Sequence, residues 1–229
     1  AQQNETLRNA CTEITSEDDS DCCNLGSVNL ANIEDVEELK DVVSLASKFL
    51  VCGLIRAQLP YKKVEKVRQQ NSRLGLGIMG LHEWMLKRAG KYEMTRDLMR
   101  WLHVYEKESK KAADEHCDRL FLRAIAPTGT ISILAGTTSG VEPIYAVAYR
   151  RRYLSDGTKW KHQFVVDGTA QTLIDSGIKP DNIESAVDLA GDVERRLKVQ
   201  SELQRYVDHA ISSTINLPKW GTELNNEDH

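Results

Sequence analysis

Apolar residues recur at Val36, Leu39, Val43, Ala46 and Leu50, with Phe49 and Leu54 in the same turns. This is the period of an amphipathic helix over residues 36–56, stopped by Pro60. Asn32, with Asp35 three places on, is the expected cap. The charged stretch 62–73 predicts a short surface helix ahead of glycines at 75, 77 and 80. Helical spacing resumes over 81–88, and Thr95 caps a long helix in which Leu98, Leu102, Tyr105, Ala112 and His116 mark one side. A short strand over 122–126 runs into Pro127, and aromatic and β-branched residues predict extended segments over 144–154 and 159–166. Helices follow over 169–175 and from 192 to about 212, with a closing strand over 213–218. Helices separating short strands predict an α/β layered or barrel arrangement with parallel pairing.

The composition narrows the class. With 229 residues, 41% of them hydrophobic, the chain can build one substantial core or two small ones. No run of 18 apolar residues occurs, and the opening Ala-Gln-Gln-Asn-Glu lacks a signal peptide's basic and apolar regions, so the expected location is the cytoplasm. A formal charge of -4 gives no general attraction to nucleic acid or membrane. Arg150, Arg151 and Arg152 with Lys159 and Lys161 form a local basic cluster that a solvated strand edge explains. Five cysteines without a Cys-x-x-Cys pair, and His82 and His116 off zinc spacing, predict neither a disulfide scaffold nor a metal site. Cys52 and Cys117 fall in apolar helical stretches and are expected in the core. Residues 222–229 read as a frayed polar end.

Chemistry concentrates near the start. Asn9-Ala10-Cys11-Thr12-Glu13-Ile14 places an amide, a thiol and a carboxylate at alternate positions. In an extended backbone these leave on one face, neighbours roughly 7 Å apart. Such a set suits radical chemistry on a polyol, although spacing alone favours a loop carrying a structural cysteine. Cys22 and Cys23 follow, the second opening Cys23-Asn24-Leu25-Gly26-Ser27-Val28-Asn29-Leu30. Further on, Ala126-Pro127-Thr128-Gly129-Thr130-Ile131-Ser132 could present N–H groups and hydroxyls to an anion, or be an ordinary glycine turn. Gly75-Leu76-Gly77-Ile78-Met79-Gly80 formally meets a dinucleotide-binding pattern. A nicotinamide-dependent oxidoreductase would require a strand ending near Arg73, where the sequence predicts charged helix. The glycines are instead expected to let a helix and a strand approach closely.

The Asn-x-Cys-x-Glu-Ile and Cys-Asn-Leu-Gly-Ser-Val-Asn-Leu segments together resemble the active site of the ribonucleotide reductase large subunit. Residues 126–132 resemble that family's substrate-phosphate loop, and 73–81 a third family segment. The resemblance runs from about residue 8 to about residue 218 and corresponds to the later part of the family's catalytic barrel. It implies an α/β fold, part of a ten-stranded barrel of the ribonucleotide reductase and glycyl-radical type, with Cys11 on a loop projecting into its centre. Residues 1–229 would be a single partial barrel domain.

The resemblance also implies roles. Cys11 becomes the thiyl radical that removes the ribose 3′ hydrogen, Glu13 takes the 3′-hydroxyl proton, and Asn9 holds the ribose hydroxyls. Cys23 is one of two reducing cysteines, its family partner lying upstream of this chain's first residue, while Cys22 is a bystander because a disulfide between neighbours is strained. Pro127, Thr128, Gly129, Thr130 and Ile131 bind the substrate's phosphates. The wording of 127–132, 80–84 and 149–153 is most similar to the adenosylcobalamin-dependent (class II) enzymes, which implies that cofactor, bound largely outside this chain. A class I large subunit served by a separate metal-radical protein is the alternative, and a non-catalytic helical interaction module lies further off. The implied partners are a ribonucleotide, the remaining segments or subunit of the same enzyme, and an external dithiol such as thioredoxin. The chain is expected to be one portion of a longer or split enzyme and inactive alone.

Overall fold

Two patterns dictate the layout: amphipathic helices, and a glycine-containing strand with no polar face. The computed structural model describes residues 7–115, 121–217 and 221. His116, Cys117, Pro218 and the 222–229 tail lie outside them. A small antiparallel hairpin of β1 (Leu7–Arg8) and β2 (Thr15–Ser16) precedes β3 (Cys23–Asn29). α1 (Val36–Arg56), α2 (Lys62–Asn71) and β4 (Arg73–Met79) follow. β4 lies parallel to β3 with Cys23 opposite Arg73 and Asn29 opposite Met79, the two joined by a helical crossover. Every residue of β4 is buried, as expected for a strand covered on both faces.

Hydrogen bonds extend this pair into a wider parallel array. Leu76 pairs with Arg123, and Ile125 with Ile211. The order across the array is therefore β3, β4, the 122–125 segment and the 209–212 segment. Among the described residues it does not close into a barrel.

α3 (Leu81–Arg88) and α4 (Arg96–Asp114) complete the first half. α1 lies against α4 and the β3–β4 pair, burying Val36, Leu39, Val43, Leu50 and Leu54. Trp84 of α3 meets Trp101 of α4 edge to face at 5.3 Å, with Arg88 over both rings. The cap of α1 is Asp35, which accepts from the N–H groups of Glu37 and Glu38. Asn32 instead ends a short 3-10 turn capped by Asn29. Thr95 caps α4 as the sequence predicts.

The second half holds α5 (Gly129–Ala135), a hairpin of β5 (Ala148–Ser155) and β6 (Lys159–Val166), then α6 (Gly168–Asp175), α7 (Ala186–Leu189) and α8 (Val193–Gln204). β5 and β6 pair antiparallel, because a short turn joins them directly. Three expectations are corrected here. Phe49 and Cys52 are exposed, being on the outward side of α1. The last helix ends at Gln204, well short of 212. The final strand pairing falls on Ile211 rather than on 213–218, because the backbone groups of Ala210 and Ser212 meet Ile125. The basic cluster does sit on an exposed two-stranded ribbon.

The glycines at 75 and 77 lie inside β4, and the strand starts at Arg73 rather than ending there. The context a dinucleotide-binding turn needs is therefore absent, and the nicotinamide reading fails on that geometry. What demands glycine is the neighbouring strands rather than a helix. A Cβ on Gly75 would lie 2.3 Å from Leu25 Cδ2 and 3.3 Å from Cys23 Sγ; one on Gly77 would lie 2.6 Å from the Ala124 carbonyl oxygen.

Candidate active site

The site begins with a turn. Residues 9–14 reverse the chain between β1 and β2: the N–H of Thr12 donates to the Asn9 carbonyl at 3.0 Å, and the N–H of Ile14 to Asn9 Oδ1 at 3.1 Å. Thr12 has φ 69°. The extended reading of Asn9, Cys11 and Glu13 is thereby corrected, since alternation across faces needs an extended backbone and this one turns. Asn9 and Cys11 are exposed, while Glu13 is 1% exposed. Glu13 Oε2 has no hydrogen-bond partner among the described residues, so a buried carboxylate oxygen is left available for a ligand.

Glu13 is fixed by its backbone. Its carbonyl accepts from the N–H of Ala210 at 2.9 Å, and the Ala210 carbonyl accepts from Ile125 at 3.2 Å. Ala210 thus separates Glu13 from the strand that feeds the 127–131 loop. Thr128 follows Ile125 by three residues.

Asn9 and Cys23 line one cavity of about 370 Å³ together with Arg8, Ile14, Ser16, Asp21, Cys22 and Leu25. Cys23 opens β3 at the amino end of the parallel strands, whereas Thr128 follows the carboxyl end of the third, so Glu13 sits between these two levels. Burial, reinforced by the negative charge of Asp21, pushes the Cys23 thiol well above its ordinary range. Cys22, less enclosed, is also raised, by burial and Asp21.

Thr128 is a buried residue in the left-handed region, φ 53°, and begins α5. Its Oγ1 accepts from the N–H of Gly140 at 2.7 Å, and Ser132 Oγ meets Ser139 Oγ at 2.8 Å. These bonds fold 136–140 back over the loop, and the N–H of Gly80 ties that segment to β4 through the Thr138 carbonyl at 2.8 Å. Pro127 is half-buried; Gly129, Thr130 and Ile131 are exposed. First-turn N–H groups lack intrahelical acceptors and can receive an anion.

The sequence reading missed Asp21, Arg73 and Ala210. Asp21 was visible only as the end of an acidic run beside two cysteines; its partners stand far along the chain. Among the described residues no group of three His, Cys, Asp or Glu side chains could hold a metal ion, and no helix is long and apolar enough to cross a membrane.

Comparison with known proteins agrees with this geometry. The family model for the ribonucleotide reductase barrel domain matches residues 4–102 and 110–227. The vitamin B12-dependent ribonucleoside-diphosphate reductase of Mycobacterium tuberculosis (strain CDC 1551 / Oshkosh) is 28% identical over 246 residues, covering 87% of this chain and 36% of that protein. The Thermoplasma acidophilum protein of the same name is 26% identical, covering 85% of this chain and 32% of its own length. The ribonucleoside-diphosphate reductase subunit alpha of Helicobacter pylori (strain 26695) is 26% identical over 202 residues, covering 63% and 26%. A crystal structure of a B-12 dependent (class II) ribonucleotide reductase shares the fold with a TM-score of 0.72 at 18% identity, covering 93% of this chain and 35% of that one. The chain spans about a third of the length of the first two curated relatives. With motifs, parallel array and family model in agreement, the chain belongs to the ribonucleotide reductase barrel-domain family.

Proposed function

We propose that this chain supplies part of the active site of an enzyme that reduces ribonucleotides to 2′-deoxyribonucleotides by thiyl-radical chemistry. The observation that carries the reading is Glu13: a buried carboxylate oxygen without a partner among the described residues, held between the cavity lined by Cys23 and the Thr128 loop. A base for a ribose hydroxyl has to be in hydrogen-bond reach of it and shielded from water. Glu13 takes the 3′-hydroxyl proton. Cys11, as a thiyl radical, accepts the 3′ hydrogen atom and is restored when that atom returns. Cys23 and a second thiol outside this chain supply two electrons and become a disulfide as the 2′-hydroxyl leaves as water. Asn9 orients the ribose, and Pro127 to Ile131 hold the phosphates. An external dithiol returns Cys23 to its reduced state.

Cys11 stands exposed on its turn, accessible to a radical generated elsewhere. The names of the relatives imply adenosylcobalamin for this chain's enzyme. The 370 Å³ cavity beside Cys23 is of small-ligand size. That cofactor would be bound largely outside this chain.

The test is deoxyribonucleotide formation from ribonucleoside di- and triphosphates by the enzyme containing this chain, with dithiol, with and without adenosylcobalamin. Cys11→Ala is expected to abolish it. Product from Cys11→Ala overturns the mechanism; product without the cofactor overturns only the class II assignment.

A further inference from the structure

At the amino end of β3 one carboxylate gathers donors from four elements. Asp21 Oδ2 accepts from Ser16 Oγ at 2.7 Å, Asn71 Nδ2 at 2.9 Å and Arg73 Nε at 2.6 Å; Oδ1 accepts from the N–H of Cys22 at 2.8 Å. Ser16 belongs to the hairpin that carries Cys11 and Glu13, Asn71 ends α2, Arg73 opens β4, and Cys22 leads into β3. The Asp21 and Arg73 side chains are only 8% and 4% exposed, and the guanidinium lies 4.8 Å from the Phe121 ring centroid. A buried ion pair of this kind is costly unless its hydrogen bonds are well made. Here several are made, and they converge where the hairpin meets the two strands.

Arg73 is also the residue paired with Cys23 across the sheet. A cation beside a cysteine favours the thiolate, and a carboxylate opposes it. The groups that act on the charge of Cys23 are Asp21 and Cys22 on its own segment, Arg73 on β4 and Glu13 on the hairpin turn; Arg8 of β1, with Asp18 and Asp19 ahead of β3, lines the same cavity. Arg73 is the cation opposite Cys23 in the sheet, and its Nε is engaged by Asp21.

We propose that Asp21 is a positioning residue that docks the Cys11–Glu13 hairpin against the start of β3 and, by engaging Arg73, offsets the positive charge that this residue presents to Cys23 across the sheet. The inference deepens the reductase reading and rests on it for its catalytic meaning, but the charge relation is tested without turnover. The balance resides in the pair: removing either charge alone shifts Cys23, in opposite directions, and removing both restores it.

The experiment measures iodoacetamide alkylation of Cys23 against pH in the native chain by peptide mass spectrometry, normalised to exposed Cys52. Asp21→Asn leaves the Arg73 charge facing the thiol and is expected to speed Cys23 alkylation about tenfold near pH 8, the worth of one pKa unit. Arg73→Gln is expected to slow it, and the double variant to return it to within about twofold of wild type. A role in packing alone would speed alkylation in all three variants, which overturns the proposal, as does an unchanged Cys23 profile. If Asp21→Asn does not fold, Arg73→Gln decides alone: slower alkylation supports the proposal, and unchanged or faster alkylation overturns it. Failure of deoxyribonucleotide formation by the wild-type enzyme would overturn the reductase reading and leave these rates unaffected.

Discussion

The backbone carbonyl of Glu13 accepts a 2.9 Å hydrogen bond from the N–H of Ala210, joining the first hairpin to the last strand pairing of the array. Through that bond a residue on an exposed turn acquires a buried side chain. Its position is set from the far end of the sequence.

Glu13→Gln keeps the shape of the side chain and removes the base. The expected result is a loss in kcat of about 10²–10⁴-fold in the reductase containing this chain, with the thermal unfolding midpoint close to wild type. Steady-state kinetics with circular dichroism melts check it. Near-normal kcat would remove Glu13 from the proton transfer.

Gly75→Ala introduces a methyl group against Leu25 and the Cys23 sulfur. Overpacking of this kind costs about 1–3 kcal/mol. The measurement is the urea unfolding midpoint. An unchanged midpoint would mean that β3 yields to the methyl group, contrary to the close packing described above.

His82 is buried against Tyr92, accepts from the N–H of Ile144 at 3.0 Å, and has its pKa pushed down to about 3, first by burial and then by the charge of Arg196. The unfolded chain therefore binds a proton on this group near pH 6.5 that the folded chain refuses. Stability is full above about pH 6.5 and falls progressively toward pH 3. His82→Gln, compared with wild type by urea unfolding at several pH values, is expected to flatten that fall; an identical slope in both proteins refutes it.

Arg123 bonds the Asp208 carboxylate at 2.8 Å, the Tyr206 carbonyl at 2.8 Å and Ser109 Oγ at 3.0 Å, and Asp208 also accepts from the N–H groups of Leu122 and Arg123. Arg123→Ala breaks a largely buried pair and leaves its carboxylate behind. The expected loss is about 3–5 kcal/mol, read from chemical denaturation. A loss below about 1 kcal/mol would place this pair in the range of exposed ones.

The helices were legible from their apolar period. α1 and α3 span the expected residues, because the burial that stabilises a helix repeats along its own sequence. The extended segment before Pro127 was legible in part: parallel bridges form at Arg123 and Ile125, within the expected 122–126. β3 was not, since its residues are largely half-buried and show no clean alternation. Nor was β4 read as a strand, because its glycines answer to Leu25, Cys23 and Ala124 across the sheet.

The sequence by itself determined the chemistry on offer and the family: an amide, a thiol, a carboxylate, a second thiol and a loop rich in threonine and glycine, in order along the chain. Tertiary structure alone decided which of them share a space. Residues 9–14 turn instead of extending, so Asn9 and Cys11 stay exposed while Glu13 is buried, and Glu13 is placed by Ala210 rather than by its neighbours. Likewise Asp21 becomes the hub beside Cys23 only when Asn71 and Arg73 are brought to it. Periodicity reports contacts a few residues apart. Hydrogen bonds and charge pairs spanning fifty to two hundred residues leave no such trace, and these are what assemble the site.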